Sequence, residues 1–183
     1  MKGFLFGVVV TILVFVAVTY VYFGTGIAPV ATSAPPMPLE KTLAHMAQHA
    51  RMAKEMPTQV PVPADEANLF AGAHVYMDQC AVCHGLPGKD QTAIAKGEFP
   101  RPPHLFKGKG VTDDEPGETY WKVANGIRLT GMPGFNGHLS TTEMWQVSLL
   151  LANADKLSDR VKSVLATSSA SANAASAPER QGR

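Results

Sequence analysis

The stretch Cys80-Ala81-Val82-Cys83-His84 decides the fold of this chain. A C-x-x-C-H run is the attachment pattern of a c-type haem. The two thiols add to the vinyl groups of the porphyrin as thioethers, and the adjacent histidine becomes the proximal ligand of the iron. The chain has 2 cysteines, so the motif uses both. We therefore expect one covalently bound haem c, held by Cys80 and Cys83 with His84 on the iron.

Two other classes of site also use a C-x-x-C pair. A thioredoxin-like redox pair needs a βαβ setting, and the sequence around Cys80 shows no such pattern. A structural zinc site normally needs four protein ligands, and no second Cys/His pair follows at ligand spacing. Haem attachment is therefore the favoured interpretation of the motif.

A six-coordinate iron needs a second axial ligand, and the candidates downstream are Met132, Met144, His104 and His138. Met132 lies in the Gly- and Pro-containing segment 126–134, an irregular loop that can bring a side chain to a metal. Met144 falls within a strongly patterned helix and is expected in the core. We predict His84 and Met132 as the axial pair, which leaves no open position for a substrate.

His104 is the main alternative ligand to Met132. It follows Pro102 and Pro103 in a segment with little apolar periodicity. A loop imidazole of this kind also serves as a hydrogen-bonding partner for the backbone or for a haem propionate. We expect that second role for His104.

These residues resemble the class I (mono-haem) cytochromes c, and among them the bacterial membrane-anchored forms related to the haem subunits of cbb3-type oxidases. The resemblance covers residues 68–152. It rests on Gly72-x-x-x-Tyr76, Cys80 to His84, Pro100 to Phe106, Asn125-Gly126-Ile127, Gly131-Met132-Pro133 and a last helix with Trp145. It implies a small all-α fold around one haem, in which Gly72 lets the first helix cross the last one closely.

The N-terminal segment 1–23 is predicted to be a transmembrane anchor. Residues Phe4 to Phe23 carry no charge, and at 1.5 Å per residue such a helix spans the roughly 30 Å hydrocarbon core of a bilayer. A cleaved secretory signal is the alternative, with Thr32-Ser33-Ala34 as a permissible cleavage site. Lys2 fits the positive-inside rule with a cytoplasmic amino terminus. We expect a single-pass protein of the bacterial inner membrane with its haem domain in the periplasm.

The rest of the chain divides by composition. Residues 24–38 are predicted to be a Pro- and Ala-rich tether, and residues 39–64 an amphipathic helix, Leu39 to Met56, followed by a Pro-rich linker. His45 and His49 share one face of that helix; a solvated face is favoured over a metal site, because no third ligand is near. Residues 65–165 are the predicted cytochrome c domain, and residues 166–183 a disordered tail.

Helices of the haem domain can be placed from local signals. Asp65 and Glu66 favour a helix start, and Pro116 to Ile127 is predicted to be a short helix. Ser140 to Glu143 is a capping box that opens the last domain helix, with Trp145 expected in its core face. A further short helix is predicted from Ser158 to Leu165.

Charge argues against a nucleic-acid partner. The chain has 16 Lys and Arg against 15 Asp and Glu, a net charge of +1. The predicted loop carries five cations, which are Lys89, Lys96, Arg101, Lys107 and Lys109. They indicate either a mixed solvated surface or a basic docking ring for an acidic redox partner.

The favoured function is a membrane-anchored cytochrome that passes single electrons between redox protein partners. One alternative is a haem subunit of a larger oxidase or dehydrogenase complex, with the Leu39 to Met56 helix docked on a catalytic partner. Another is a haem sensor or peroxidase. The sequence shows neither an output domain nor a distal His/Arg pair, so the last alternative is the least favoured.

Overall fold

The structure is a computed structural model that describes residues 1–107 and 113–175. This part of the chain is helical and contains no β-strand, which confirms the all-α fold class. Its α-helices are α1 (Lys2–Gly24), α2 (Glu40–Glu55), α3 (Glu66–Val75), α4 (Ala81–His84), α5 (Ala93–Gly97), α6 (Pro116–Asn125), α7 (Thr141–Ala152) and α8 (Asp159–Ala175). A π-helix, Tyr76–Cys80, joins α3 to α4. The chain forms two compact units, residues 1–46 and residues 47–183.

The first unit contains the apolar helix α1. It is 23 residues long and buries none of its side chains. By length and composition it is able to cross a membrane, although a signal sequence near an N-terminus has the same properties. Helix α2 then lies within the predicted Leu39 to Met56 segment and begins in this unit.

The core of the second unit is the crossing of α3 and α7. A Cβ atom added to Gly72 would collide with the backbone carbonyl of Gln146 on α7, so only glycine lets the two backbones approach this closely. This confirms the close crossing that the resemblance implied. Helix α6 packs on α7, and α8 packs on α3. The buried apolar cluster consists of Ala73, Val75, Tyr76, Val123, Ala124, Met144, Val147, Leu150, Leu151, Leu157, Val161 and Leu165.

The helix starts follow the capping signals of the sequence. The Asp65 side chain accepts a hydrogen bond from the Asn68 backbone N–H at 2.9 Å. Ser140 and Glu143 form both hydrogen bonds of the capping box at the start of α7. Pro116 stands in the first turn of α6. The Asp65, Ser140 and Glu143 side chains bond backbone N–H groups that would otherwise lack partners, and Pro116 has no N–H to satisfy.

Helix α8 is longer than predicted. The sequence predicted a short helix from Ser158 to Leu165 and a disordered tail over residues 166–183, whereas α8 continues to Ala175. Val161 and Leu165 are buried and hold its first turns on the domain. Alanine-rich sequence continues the helix because alanine has the highest helix propensity. Residues 176–183 lie outside the described residues.

Candidate haem-attachment site

The two cysteines lie where the first domain helix changes its geometry. Helix α3 continues into the π-helix Tyr76–Cys80 and then into the single turn α4, which ends at His84. A π-helical turn inserts one extra residue into the helix and is common at functional sites. Cys80 is half-buried against the apolar cluster, and Cys83 is half-buried on the following turn. Both are free thiols.

The environment keeps both thiols protonated. Burial and, to a smaller extent, the nearby Cys83 raise the pKa of Cys80 to about 12. Burial also raises the pKa of Cys83, as does its hydrogen bond to Glu98. Because the thiolate is the reactive form, these sulfurs stay in the less reactive S–H form near neutral pH.

His84 has one ring nitrogen fixed and one left over. Its Nδ1 lies 2.9 Å from the Pro103 carbonyl oxygen, and a carbonyl only accepts, so Nδ1 carries the hydrogen. Burial lowers the pKa of His84, while the Pro103 carbonyl and the charge of Glu98 oppose that shift. The neutral imidazole therefore keeps Nε2 as an acceptor, which is the form that binds a metal.

The loop that carries Pro103 is tied to α4 by Gln91. The Gln91 amide donates hydrogen bonds to the Cys83 carbonyl at 3.2 Å and to the Pro102 carbonyl at 2.7 Å. The Arg101 Nε–H donates in turn to Gln91 Oε1 at 3.1 Å. The sequence analysis missed Gln91, because a single polar residue in a Gly- and Pro-rich segment is part of no periodic pattern.

The structure uses both ring nitrogens of His104 within the loop. Its Nε2 lies 2.9 Å from the Lys89 carbonyl oxygen, and its Nδ1 accepts from the Phe106 N–H at 3.2 Å. The ring also packs on Gly85, whose φ of +78° and closeness to the imidazole leave no room for a side chain. This is the backbone-bonding role that the sequence predicted, and it leaves no nitrogen of His104 free for a metal.

Met132 lies in a loop that is folded back on the end of α6. The Ile127 N–H donates to the Met132 carbonyl at 3.2 Å, and the Met132 N–H donates to Thr130 Oγ1 at 3.1 Å. A Cβ on Gly126 would lie 2.5 Å from the Gly134 nitrogen, so the two ends of the loop touch. Met132 is half-buried and packs against the apolar cluster.

The other two candidate ligands lie elsewhere. Met144 is 2% exposed and belongs to the core, as predicted. His138 is exposed and follows the loop that contains Met132. Among the described residues no group of three or more His, Cys, Asp or Glu side chains is placed to hold a metal ion.

One family model matches the segment that forms this site. Its description is cytochrome C oxidase, cbb3-type, subunit III, and it matches residues 67–149. The match supports a c-type cytochrome domain over residues 67–149. Searches of curated proteins and of solved structures find no significant match. A cytochrome domain of this kind implies a covalently bound c-type haem, electron transfer and redox protein partners.

The side chains of the cytochrome domain fit such a group. Two thiols at C-x-x-C spacing and one imidazole with Nε2 available lie within residues 80–84, at the end of the π-helix and on α4. A thioether side chain, Met132, stands on a separate loop with defined backbone contacts. This is the donor set of a covalent haem with His/Met ligation.

Glu98 links the two halves of the site, and the sequence analysis missed it. The Cys83 thiol donates to Glu98 Oε1 at 3.3 Å. The other carboxylate oxygen, Oε2, lies against Gly131, so that a Cβ there would collide with it. Glu98 thus contacts the attachment motif on one side and the residue before Met132 on the other.

The surface of the cytochrome domain near the motif mixes cations with exposed apolar side chains. Lys89, Lys96, Arg101 and Lys107 are exposed, and Lys109 lies outside the described residues. Ile94 is 59% exposed and Leu129 is 91% exposed. Val82, inside the motif, is 46% exposed, and the Thr92 hydroxyl at the start of α5 donates to its carbonyl at 2.6 Å. Val82 and the start of α5 therefore share one surface.

Trp145 is packed inside the cytochrome domain. It is 3% exposed and stacks on Tyr120, with ring centroids 4.3 Å apart. This agrees with the predicted core position.

Proposed function

We propose that this protein is a membrane-anchored cytochrome that carries single electrons. Cys80 and Cys83 attach one haem, and His84 and Met132 ligate its iron. The observation that carries the proposal is the hydrogen bond from His84 Nδ1 to the Pro103 carbonyl, next to two free thiols in a domain of this family. That bond orients the imidazole and leaves Nε2 for the iron.

Each side chain of the site has a defined task in this proposal. When bound, a c-type haem supplies an iron that changes oxidation state by one electron. The hydrogen bond to the Pro103 carbonyl fixes the tautomer of His84 and makes its Nε2 a more basic metal ligand. Met132 would be the second ligand of the iron, and a methionine ligand would raise the reduction potential relative to histidine. Gln91 keeps the Pro102–Pro103 backbone in place behind His84.

The choice of Met132 over His104 is supported by their hydrogen bonds. A histidine ligand needs one free nitrogen, and both nitrogens of His104 are bonded to backbone groups. The Met132 side chain has no polar hydrogen to satisfy and stands on a loop fixed at both ends.

Optical spectra of the full-length protein test the ligands. The protein is expressed with a haem-c maturation system and measured in ferric and ferrous forms, with and without carbon monoxide. We expect a low-spin spectrum with the far-red methionine-to-iron band and no carbon monoxide binding. Low-spin spectra without that band would point to a histidine ligand instead, and ready carbon monoxide binding would favour the sensor or peroxidase alternative.

A matched pair of methionine variants sharpens that test. Met132→Ala should lose the far-red band, bind carbon monoxide and have a lower potential. Met144→Leu, a volume-conserving change in the core, should keep the wild-type spectrum. An unchanged spectrum in Met132→Ala would refute the assignment.

The apolar helix α1 supports anchorage in the bacterial inner membrane with a periplasmic haem domain. An anchor confines the protein to the membrane plane and raises its effective concentration at membrane-bound partners. The intact mass of the purified protein decides between anchor and cleaved signal. Retention of Lys2–Gly24 and extraction by detergent alone are expected; a mass beginning after residue 34 would mean a cleaved signal.

A second candidate function is favoured by the description of the matching family, which names a subunit of an oxidase. In this case the protein is the haem subunit of a larger oxidase or dehydrogenase complex. Size analysis of membranes solubilised in a mild detergent separates the two functions. Co-migration with a haem-containing catalytic subunit would favour the complex, and a monomer would favour the free carrier.

The partner surface is proposed to centre on Val82 and the start of α5, ringed by exposed cations. Apolar contact at the centre and positive charge around it suit an acidic redox partner. Electron-transfer rates that fall as salt rises would support this surface, and salt-independent rates would argue against it.

A further inference from the structure

Glu98 is a half-buried carboxylate in contact with both segments that would supply the axial ligands. Oε1 accepts a hydrogen bond from the Cys83 thiol at 3.3 Å, one residue before His84. Oε2 lies against Gly131, one residue before Met132. Its charge also acts on the His84 imidazole. The carboxylate therefore touches the segment of His84 and the segment of Met132.

We infer that Glu98 is the charged group that lowers the reduction potential of this cytochrome. The inference rests on the proposed function and deepens it, because a carrier with two filled axial positions is defined by its potential. A negative charge near the iron stabilises the ferric form, which carries one more positive charge than the ferrous form. Removing the charge should therefore favour the ferrous form.

Haem attachment itself leaves this charge without its proton donor. When the Cys83 sulfur bonds to a vinyl carbon, the thiol hydrogen goes to the other vinyl carbon, and the new thioether has nothing to donate. Glu98 then loses the hydrogen bond that the free thiol makes. Within residues 1–107 and 113–175, Glu98 forms no ion pair with a cation that would neutralise it. An uncompensated charge in a half-buried position acts more strongly on its neighbours than one in bulk water.

The test is a redox titration of the full-length holoprotein at pH 7, followed by its visible spectrum. Glu98→Gln keeps the shape of the side chain and removes the charge. We expect the ferrous-to-ferric ratio at a given applied potential to rise about threefold to tenfold, where tenfold corresponds to 59 mV for a one-electron couple. Glu98→Asp keeps the charge and should keep most of the wild-type potential.

Glu115→Gln is the matched control. Glu115 stands exposed at the start of α6, where its side chain makes no capping hydrogen bond. The variant removes one exposed charge from the same domain, at a position far from both cysteines along the sequence. At the same applied potential, the ferrous-to-ferric ratio of this variant should differ from wild type by less than twofold, because solvent screens exposed charges.

Two results would overturn the inference. One is a Glu98→Gln potential equal to that of Glu115→Gln while the His/Met spectrum is unchanged. The other is an equal shift in Glu98→Gln and Glu98→Asp, which would make the contact and not the charge responsible. A wild-type protein without the methionine-to-iron band would instead refute the proposed function, so the two failures are distinguishable.

Gly131→Ala provides an independent variant if Glu98→Gln does not retain haem. The added methyl group collides with Glu98 Oε2 and displaces the carboxylate without removing it. A rise in potential in the direction expected for Glu98→Gln, with the methionine-to-iron band intact, supports the inference. A potential equal to wild type contradicts it.

Discussion

The helical core and the loop face of the cytochrome domain are held together by different forces. In the core, α3 and α7 cross through Gly72 and are surrounded by buried apolar side chains. On the loop face, which we define as residues 85–107 and 126–140, side chains such as Gln91 and His104 bond backbone carbonyls and N–H groups. Apolar packing tolerates little change in shape, whereas such hydrogen bonds set the position of individual atoms.

Tyr76 connects the two regions. Its ring is fully buried in the core, and its hydroxyl donates to the Gly85 carbonyl at 2.6 Å, where the loop face begins. Burial raises the pKa of Tyr76, so the hydroxyl stays a donor throughout the physiological range. The comparison teaches that damage to the core should unfold the domain, while damage to the loop face should first alter the site.

The largest effect is expected from Gly72→Ala in the core. The new Cβ collides with the Gln146 carbonyl, and rigid backbone on both sides must move. We expect a loss of about 3 kcal/mol in the free energy of unfolding, measured by chemical denaturation of the full chain. Gly97→Ala is the control, because no heavy atom lies within 4 Å of its added Cβ. If both variants were equally stable, the tight crossing would not limit the core.

The next largest effect is expected from Gln91→Ala on the loop face. The variant loses the three hydrogen bonds that join Cys83, Pro102 and Arg101, and we expect a cost of about 2 kcal/mol. Hydrogen exchange should become faster in the loop around Pro103 while amides of α3 and α7 stay protected.

Gln79→Ala makes the same truncation at an exposed position of the π-helix and is the control for Gln91→Ala. It should change the free energy of unfolding by less than about 0.5 kcal/mol. Faster exchange throughout α3 and α7 in Gln91→Ala would mean that the two regions unfold as one unit.

A smaller effect is expected from Ser140→Ala, at the boundary between the loop face and α7. Loss of the cap should cost about 1 kcal/mol. Hydrogen bonds from Ser140 lower the pKa of Glu143 below its ordinary value of 4.5. A carboxyl group whose pKa is lower in the folded state stabilises the fold at pH values above its unfolded-state pKa. That stabilisation is lost as the pH falls through the folded-state pKa. Thermal melts from pH 7 to below 4.5 should therefore show a weaker pH dependence in the variant.

Thr142→Ala is the control for Ser140→Ala. Thr142 is exposed in the same turn of α7 and does not serve as the cap. Its melts should follow the wild-type pH dependence. If Ser140→Ala also kept the wild-type pH dependence of its melting temperature, the cap would not contribute to acid stability.

The smallest effect is expected from Glu55→Ala, which tests whether the end of α2 belongs with the core or with the loop face. Glu55 Oε2 accepts from the Trp121 indole N–H at 3.2 Å, and Glu55 also pairs with Arg51 on the surface. We expect a loss of about 0.5 kcal/mol and no change in the haem spectrum. A double-mutant cycle with Trp121→Phe isolates the pair, and a coupling energy near zero would mean that this contact does not hold the end of α2 in place.

Local patterns predicted much of the core and only part of the site. The capping box at Ser140, the start at Asp65 and the buried stripe of α7 follow from spacing within a few residues. The extension of α8 to Ala175 was missed, because the run after Leu165 gives two opposing signals. Its lack of apolar periodicity favours disorder, whereas its alanine content favours helix. The π-helix was missed for a similar reason, since its one extra residue leaves no mark on an amphipathic pattern.

The sequence by itself determined the attachment motif and the apolar N-terminal helix, because each depends on residues adjacent or periodic along the chain. The all-α class came from its resemblance to the class I cytochromes c. Only the tertiary structure decided that His104 is bonded to the backbone, and that Gln91 and Glu98 hold the site. The hydrogen bonds of Glu98 and Gln91 to the attachment segment and the Pro102 carbonyl, and of His104 to Lys89, span 8 to 15 residues across irregular loops. Contacts at such separations depend on how the loops fold, and no spacing rule of helix or strand encodes them.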